Sequence, residues 1–232
     1  MTTAAHETWL LLESGPGDPA LNMALDEVLL AAIGQLGHPL LRFYGWAQPA
    51  ATFGYAQRWA RVITLTSLRP LIRRPTGGGL VLHDGDWTYS VVLPPSHDWS
   101  RLCARDSYRR VHNWVRESLA DMGVAATLAP HARPGVPGAC FAGAEELDVL
   151  CADGKIAGAA QRRNRQGLLI QGSVRPPDPR LGRARFESGM RAVATRRWGS
   201  VWREWTAAGP LLDRAECLGA TRYGGTEYNQ RR

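Results

Sequence analysis

Arg73-Arg74-Pro75-Thr76-Gly77-Gly78-Gly79-Leu80-Val81-Leu82-His83-Asp84 is the stretch around which the chain is built. Two arginines and a Pro-Thr turn lead into three successive glycines and an apolar run that ends in His-Asp. Consecutive glycines cost folding entropy and contribute no side-chain packing. They persist where the backbone turns sharply or where something must approach the main chain closely. The stretch matches neither the dinucleotide fingerprint nor the P-loop pattern. A tight turn between two strands is the plain reading. Three glycines beside two arginines favour more, namely a backbone cradle for a carboxylate, phosphate or acyl group.

Upstream, Trp9 to Leu12 reads as a strand, broken at Gly15-Pro16-Gly17. Asp18 suits an N-cap and Pro19 the first helical position, so a helix runs from Pro19 to Gly34. Leu21, Leu25, Val28 and Leu29 share its apolar face, with Asn22, Asp26 and Glu27 largely on the other side. Leu40 to Tyr44, Ala51 to Tyr55 and Leu71 to Arg73 read as strands. Gly79 to His83 and Trp87 to Leu93 are expected to pair as a hairpin through Asp84-Gly85-Asp86.

Downstream, Asp106 to Met122 carries an apolar stripe of Tyr108, Val111, Trp114, Val115, Leu119 and Met122, a core-packing helix. The Pro/Gly-rich segment from Ala129 to Gly138 leads to Cys140-Phe141. Leu147 to Ala152 and Lys155 to Gln161 form a hairpin at Asp153-Gly154, followed by a strand from Leu168 to Val174. The remainder is expected to be helical, with Val201, Trp202, Trp205, Leu211, Leu212 and Leu218 as apolar contacts, and a polar tail starting at Tyr223. These elements read as one α+β domain over residues 1–232.

The net charge is +7, carried almost wholly by arginine, since Lys155 is the sole lysine. A basic chain suits an acidic partner. The charge is dispersed rather than clustered, which disfavours nucleic acid. No run is apolar enough to span a membrane, and Met1 to Leu12 lacks the basic and apolar regions of a signal peptide. The expectation is a cytoplasmic protein with reduced thiols.

The cysteines Cys103, Cys140, Cys151 and Cys217 show no C-x-x-C spacing, so neither a zinc site nor a redox centre is indicated. A lone cysteine is usually a small buried hydrophobe, the reading for Cys151 and Cys217. Cys140 follows an irregular segment and is favoured as a nucleophile, which needs partial exposure and a nearby cation. Lys155 starts a strand whose Ala157, Gly158, Ala159 and Ala160 leave room for a thin substrate.

Asn22 to Glu27, Arg42 to Trp46, the whole Arg73–Asp84 block, Thr88-Tyr89-Ser90, Gly154 to Arg163, Gly172-Ser173 and Glu227-Tyr228-Asn229 together resemble the lipoate-protein ligase A and octanoyltransferase family of the biotin/lipoate ligase-like superfamily. Cys140-Phe141 and Gly154-Lys155 place the chain nearest its cysteine-dependent octanoyltransferases. The resemblance implies a mixed, mostly antiparallel sheet flanked by helices, enclosing an acyl tunnel, in a catalytic domain without a C-terminal accessory domain. It implies transfer of an octanoyl or lipoyl group from acyl-carrier protein, through a thioester on Cys140, to a lysine of a lipoyl domain. That domain would belong to a 2-oxoacid dehydrogenase subunit or a glycine cleavage carrier. Lys155 would lower the Cys140 pKa. Arg73, Arg74, Gly77, Gly78, Gly79, Leu80, Val81, His83, Ala157 and Gly158 would bind substrate, and His83 is a candidate base. Transfer requires no cofactor; the alternatives are ATP- and Mg-dependent lipoate ligation and a silent acyl-binding homologue. Two departures are Gln171, where the family often has His before Gly-Ser, and a short C-terminal helical part.

Overall fold

The structure is a computed structural model and describes residues 6–133 and 143–231. Strand β1 (Glu7–Gly17) leads to helix α1 (Pro19–Leu36), then β2 (Leu40–Trp46), β3 (Ala50–Phe53), a short α2 (Trp59–Val62), β4 (Leu71–Arg73), β5 (Val81–His83) and β6 (Trp87–Leu93). Next come α3 (Asp98–Arg101), α4 (Ala104–Ala120), β7 (Thr127–Leu128), β8 (Val149–Cys151), β9 (Gly154–Asn164) and β10 (Gly167–Val174). The chain closes with α5 (Arg183–Trp198), β11 (Ser200–Glu204), α6 (Pro210–Leu218), a π-helical turn (Gly219–Tyr223) and α7 (Thr226–Gln230).

Eight strands form one mixed sheet in the order β11-β1-β2-β6-β10-β9-β8-β7. Within this sheet only the β11–β1 and β1–β2 pairs are parallel. A second sheet of three strands, β4-β3-β5, stands apart. The strands alternate as half-buried strands must, but here both faces are covered. Leu41, Phe43, Tyr89, Val91, Leu168 and Ile170 pack against α4 and α5 through Trp114, Val115, Phe186 and Met190. Leu10, Leu12, Leu40, Val92 and Leu169 face α1 through Leu25, Leu29 and Ile33.

Local chemistry sets several boundaries. Asp18 caps α1 by accepting from the backbone N–H of Ala20 and Leu21, and Gly37 ends that helix in the left-handed region at φ 70°. The β8–β9 hairpin forms where Asp153-Gly154 placed it, and β9 turns back to pair with β10. Two expectations fail, and the polar side of α1 has an unforeseen setting. β5 and β6 do not pair: β5 joins β3 in the small sheet, whereas β6 lies between β2 and β10. Asp84-Gly85-Asp86 therefore carries the chain from one sheet to the other. Ser200–Glu204 is not helical; it pairs in parallel with β1, turning Trp202 toward the core and leaving Val201 exposed. The polar side of α1 is not solvated, because Asn22 and Asp26 are buried among partners from the sheet.

The last residues are also folded rather than a polar tail. The Arg73 backbone N–H donates to Asn229 Oδ1 at 2.7 Å. The fully buried Arg73 guanidinium donates to the carbonyls of Tyr55, Gln57, Tyr228, Asn229 and Arg231. Asn229 in turn donates to the carbonyls of Tyr223 and Gly225. Replacing Asn229 with Ala strips partners from these buried groups. The variant is expected to lose about 2 kcal/mol of stability, read from its urea midpoint, with earlier proteolysis near α7.

His112 of α4 is buried, and burial pushes its imidazole pKa from 6.5 down to about 4. Above pH 6.5 the ring is neutral whether folded or not, so it adds no pH dependence. Between 6.5 and about 4 the unfolded chain takes up a proton that the folded one refuses. Stability therefore falls with falling pH, by about 1.4 kcal/mol per pH unit from this group. A His112→Asn variant is expected to show a shallower loss over that window in urea titrations.

Candidate active site

A cavity of about 720 Å3 is walled by residues of α1, β2, β3, β5, β6, α4, β9 and β10. Its apolar lining includes Met23, Trp46, Leu65, Leu80, Val81 and Ala160. Two polar corners interrupt that lining.

The first corner holds Lys155. Its Nζ lies 2.7 Å from Asp148 Oδ2, with the lysine side chain 10% exposed and the aspartate fully buried. Asp148 is held in turn by the Tyr108 hydroxyl, which donates to Oδ1 at 2.7 Å, and by the backbone N–H of Glu145, which donates to Oδ2 at 2.7 Å. Burial, and then the charge of Asp148, push the Tyr108 phenol pKa well above its ordinary value, so it remains a donor. The residue before Asp148, Leu147, has a left-handed backbone at φ 73°, and its carbonyl accepts from His112 Nδ1 at 2.6 Å. That bond places the ring proton on Nδ1. Gly158 is the other constraint. A Cβ there would lie 2.8 Å from Lys155 Cε, 2.9 Å from Nζ and 3.1 Å from Asp148 Oδ1. Only a glycine lets the pair lie flat against β9.

The second corner is the glycine stretch. Gly78 sits at φ +84°, and a Cβ on Gly54 would fall 1.9 Å from its carbonyl oxygen, so two backbones touch where β3 ends. The Arg74 guanidinium donates to the carbonyls of Gly77, Gly79 and Thr52. The arginine thus shapes the cradle by gathering its carbonyls. Thr76 donates to Gln171 Oε1, and Gln171 Nε2 donates to Asp26, which ties the stretch to the large sheet. His83 lies flat on Trp46, with ring centroids 3.8 Å apart.

Arg74, Gly78, Gly79, Leu80, Val81, His83, Lys155 and Gly158 line the cavity. Arg73, Gly77 and Ala157 do not. Arg73 is taken up by the C-terminal carbonyls, Gly77 presents its carbonyl to Arg74, and Ala157 belongs to the core between the sheet and α4. Cys140 lies outside the described residues. Cys217, expected to be buried, is exposed, and Cys151 is half-buried. Among the described residues no group of three or more His, Cys, Asp or Glu side chains gathers as a metal site, and no helix is long and apolar enough to cross a membrane.

Sequence reasoning missed Asp148, Tyr108 and Asp86. Asp148 had a signal: it directly precedes the hairpin arm that pairs with the arm bearing the sole lysine. Tyr108 had none, because its position on an apolar stripe concealed a hydroxyl that reaches the site.

The chain is similar to curated bacterial proteins named octanoyltransferase LipM. Identity is 34% over 184 residues to that of Halalkalibacterium halodurans, covering 72% of this chain and 66% of the relative. It is 35% over 182 residues to that of Moorella thermoacetica, covering 72% and 65%. The chain therefore spans about two thirds of the length of these relatives. Among solved structures, lipoate-protein ligase A bound with ATP superposes with a TM-score of 0.76 at 23% identity, covering 97% of this chain and 98% of that one. The bi-partite lipoate protein ligase of Thermoplasma acidophilum gives a TM-score of 0.72 at 23% identity, covering 97% and 96%. These confirm the α+β fold. The lipoyl protein ligase A/B catalytic domain matches residues 18–175, the span that builds nearly all of the cavity, and the chain belongs to that family.

Proposed function

We propose that this protein transfers an octanoyl group from octanoyl-acyl-carrier protein to a lysine of a lipoyl domain, through a thioester on Cys140, in protein lipoylation. The observation that carries this reading is the Lys155 ammonium, held by a buried carboxylate on the wall of a largely apolar cavity. The names of the curated relatives support it. The net charge of +7, with Arg61 and Arg133 exposed beside the cavity, suits an acidic carrier.

In the first half-reaction the Cys140 thiolate adds to the thioester carbonyl. The bond from that carbon to the carrier's sulfur breaks, and the carrier leaves as its thiol. Exchange of one thioester for another is close to neutral in free energy, so the work lies in positioning and in stabilising charge. Lys155 supplies the cation that favours the thiolate. Backbone N–H groups of Gly78, Gly79 and Leu80 are candidates for the oxyanion, and Arg74 and Gly158 shape the space around the carbonyl end. Val81 and His83 complete that wall. The transfer draws on no cofactor.

Incubation with octanoyl-carrier protein is expected to leave an octanoyl adduct on the protein, seen by intact mass and absent in Cys140→Ser. A wild-type protein that stays unmodified, an adduct that persists in Cys140→Ser, or ATP-dependent attachment of free lipoate by the chain alone would overturn the reading.

Gly158→Ala separates position from charge at Lys155, since it leaves both the lysine and Asp148 in place but pushes their end groups away. Single-turnover transfer is expected to fall by about tenfold to a hundredfold. Thermal stability should also fall, because the displaced Lys155 Nζ and Asp148 Oδ1 belong to a buried ion pair.

A further inference from the structure

Attack by a lysine requires a base, because the acceptor's ammonium has a free pKa of about 10.4 and no lone pair until it loses a proton. Lys155 already serves as the cation of the pair with Asp148. His83 is the one imidazole among the described residues that line the cavity, and its surroundings are those of a working base.

Its Nδ1 lies 2.9 Å from Asp86 Oδ2, and both side chains are buried. The Ser173 hydroxyl donates to the same oxygen at 2.6 Å. Asp86 Oδ1 has no hydrogen-bond partner among the described residues. With Asp86 ionised it can only accept, so Nδ1 carries the ring proton and Nε2 presents a lone pair. Nε2 faces Thr52 Oγ1 at 2.8 Å, and Thr52 is also among the residues that line the cavity. Arg74 Nη1 donates to Thr52 Oγ1 at 3.3 Å, leaving the hydroxyl proton to point at Nε2. The imidazole rests on the Trp46 indole at an interplanar angle of 18°, a face that favours a cation. Trp46 is itself fixed by donating to Thr88 Oγ1 at 2.8 Å. Asp84, next to His83 in sequence, is exposed, so the partner is the aspartate three residues on.

We propose that Thr52, His83 and Asp86 form the relay that deprotonates the acceptor lysine. The proposal rests on the acyl-transfer reading but not on which thioester carries the acyl group. The proton leaves the acceptor's ammonium for Thr52 Oγ1 as the Thr52 proton passes to His83 Nε2. The neutral amine adds to the acyl carbonyl, the C–N bond forms and the C–S bond breaks. The amine's second proton leaves with the departing sulfur as a thiol, and His83 returns its proton to solvent. Asp86 is a positioning residue: it fixes the tautomer and offsets the imidazolium charge.

The test uses two nucleophiles against the full chain and the same octanoyl donor, a lipoyl-domain lysine and hydroxylamine. Hydroxylamine is already unprotonated at neutral pH and needs no base. In His83→Gln, Thr52→Val and Asp86→Asn the ratio of the lysine rate to the hydroxylamine rate is expected to fall by about a hundredfold. Thr52→Ser, which keeps the hydroxyl, should recover most of the lysine rate lost in Thr52→Val. An unchanged ratio in His83→Gln and Thr52→Val, whether both rates fall together or neither does, overturns the relay and leaves these residues a structural role. A wild-type protein that makes no octanoyl-lysine from octanoyl-carrier protein overturns the acyl-transfer reading itself, and the relay with it.

Discussion

The buried carboxylate of Asp26 holds the architecture around the cavity together. Its Oδ1 receives Arg42 Nη1 at 2.7 Å, and its Oδ2 receives Ser90, Gln171 and Tyr44. One side chain of α1 thereby fastens three adjacent strands, β2, β6 and β10. Both members of the ion pair are almost fully buried. Such a pair contributes little net stability against an apolar replacement, but removing one partner leaves an uncompensated charge at a cost of about 3–5 kcal/mol. The pair therefore acts as a constraint on register. Burial drives the Tyr44 phenol pKa well up, with the charge of Asp26 adding to it, so that the hydroxyl stays a donor to the hub.

The consequence for the site runs through Gln171. Its amide nitrogen donates to Asp26 and its oxygen accepts from Thr76, so the glycine stretch hangs from the same carboxylate that sets the strands. Gln171 is the departure noted in the sequence, at a place where the family resembled often has histidine. Glutamine keeps both a donor and an acceptor at fixed positions without titrating, which suits a strut between a carboxylate and a hydroxyl. Arg73 and Arg74, adjacent in the chain, divide the remaining work. One clamps the C-terminal helix; the other gathers the carbonyls of the cradle.

Much of the fold was legible from local signals. The Asp18 cap, the Asp153-Gly154 turn and the apolar stripe of α4 are dictated by neighbours a few residues apart, and each formed as read. The failures share a cause. Asp84-Gly85-Asp86 has the composition of a hairpin turn, yet β5 finds a better partner in β3, and β11 adopts an extended form because β1 offers it an edge. Asn22 and Asp26 look like a solvated helix face until strands distant in sequence arrive with complementary donors and acceptors. In the site, the glycine stretch, Lys155 and Gly158 were readable from composition and spacing. Asp148, Tyr108 and Asp86 were not, since the partner of a carboxylate or a phenol is fixed only by the atom that packing brings to it.

By itself the sequence determined α1 with its cap, the apolar stripe of α4, the Asp153-Gly154 hairpin, and a sole lysine on a strand of small residues, because capping, turn chemistry and short-range periodicity act over a few residues. Only the tertiary structure decided that Arg73 is structural while Arg74 shapes the cavity, that Lys155 answers to Asp148, and that His83 answers to Asp86 rather than Asp84. Those choices depend on which buried polar groups meet when distant segments pack, and a buried polar group takes whatever partner the packing brings within about 3 Å.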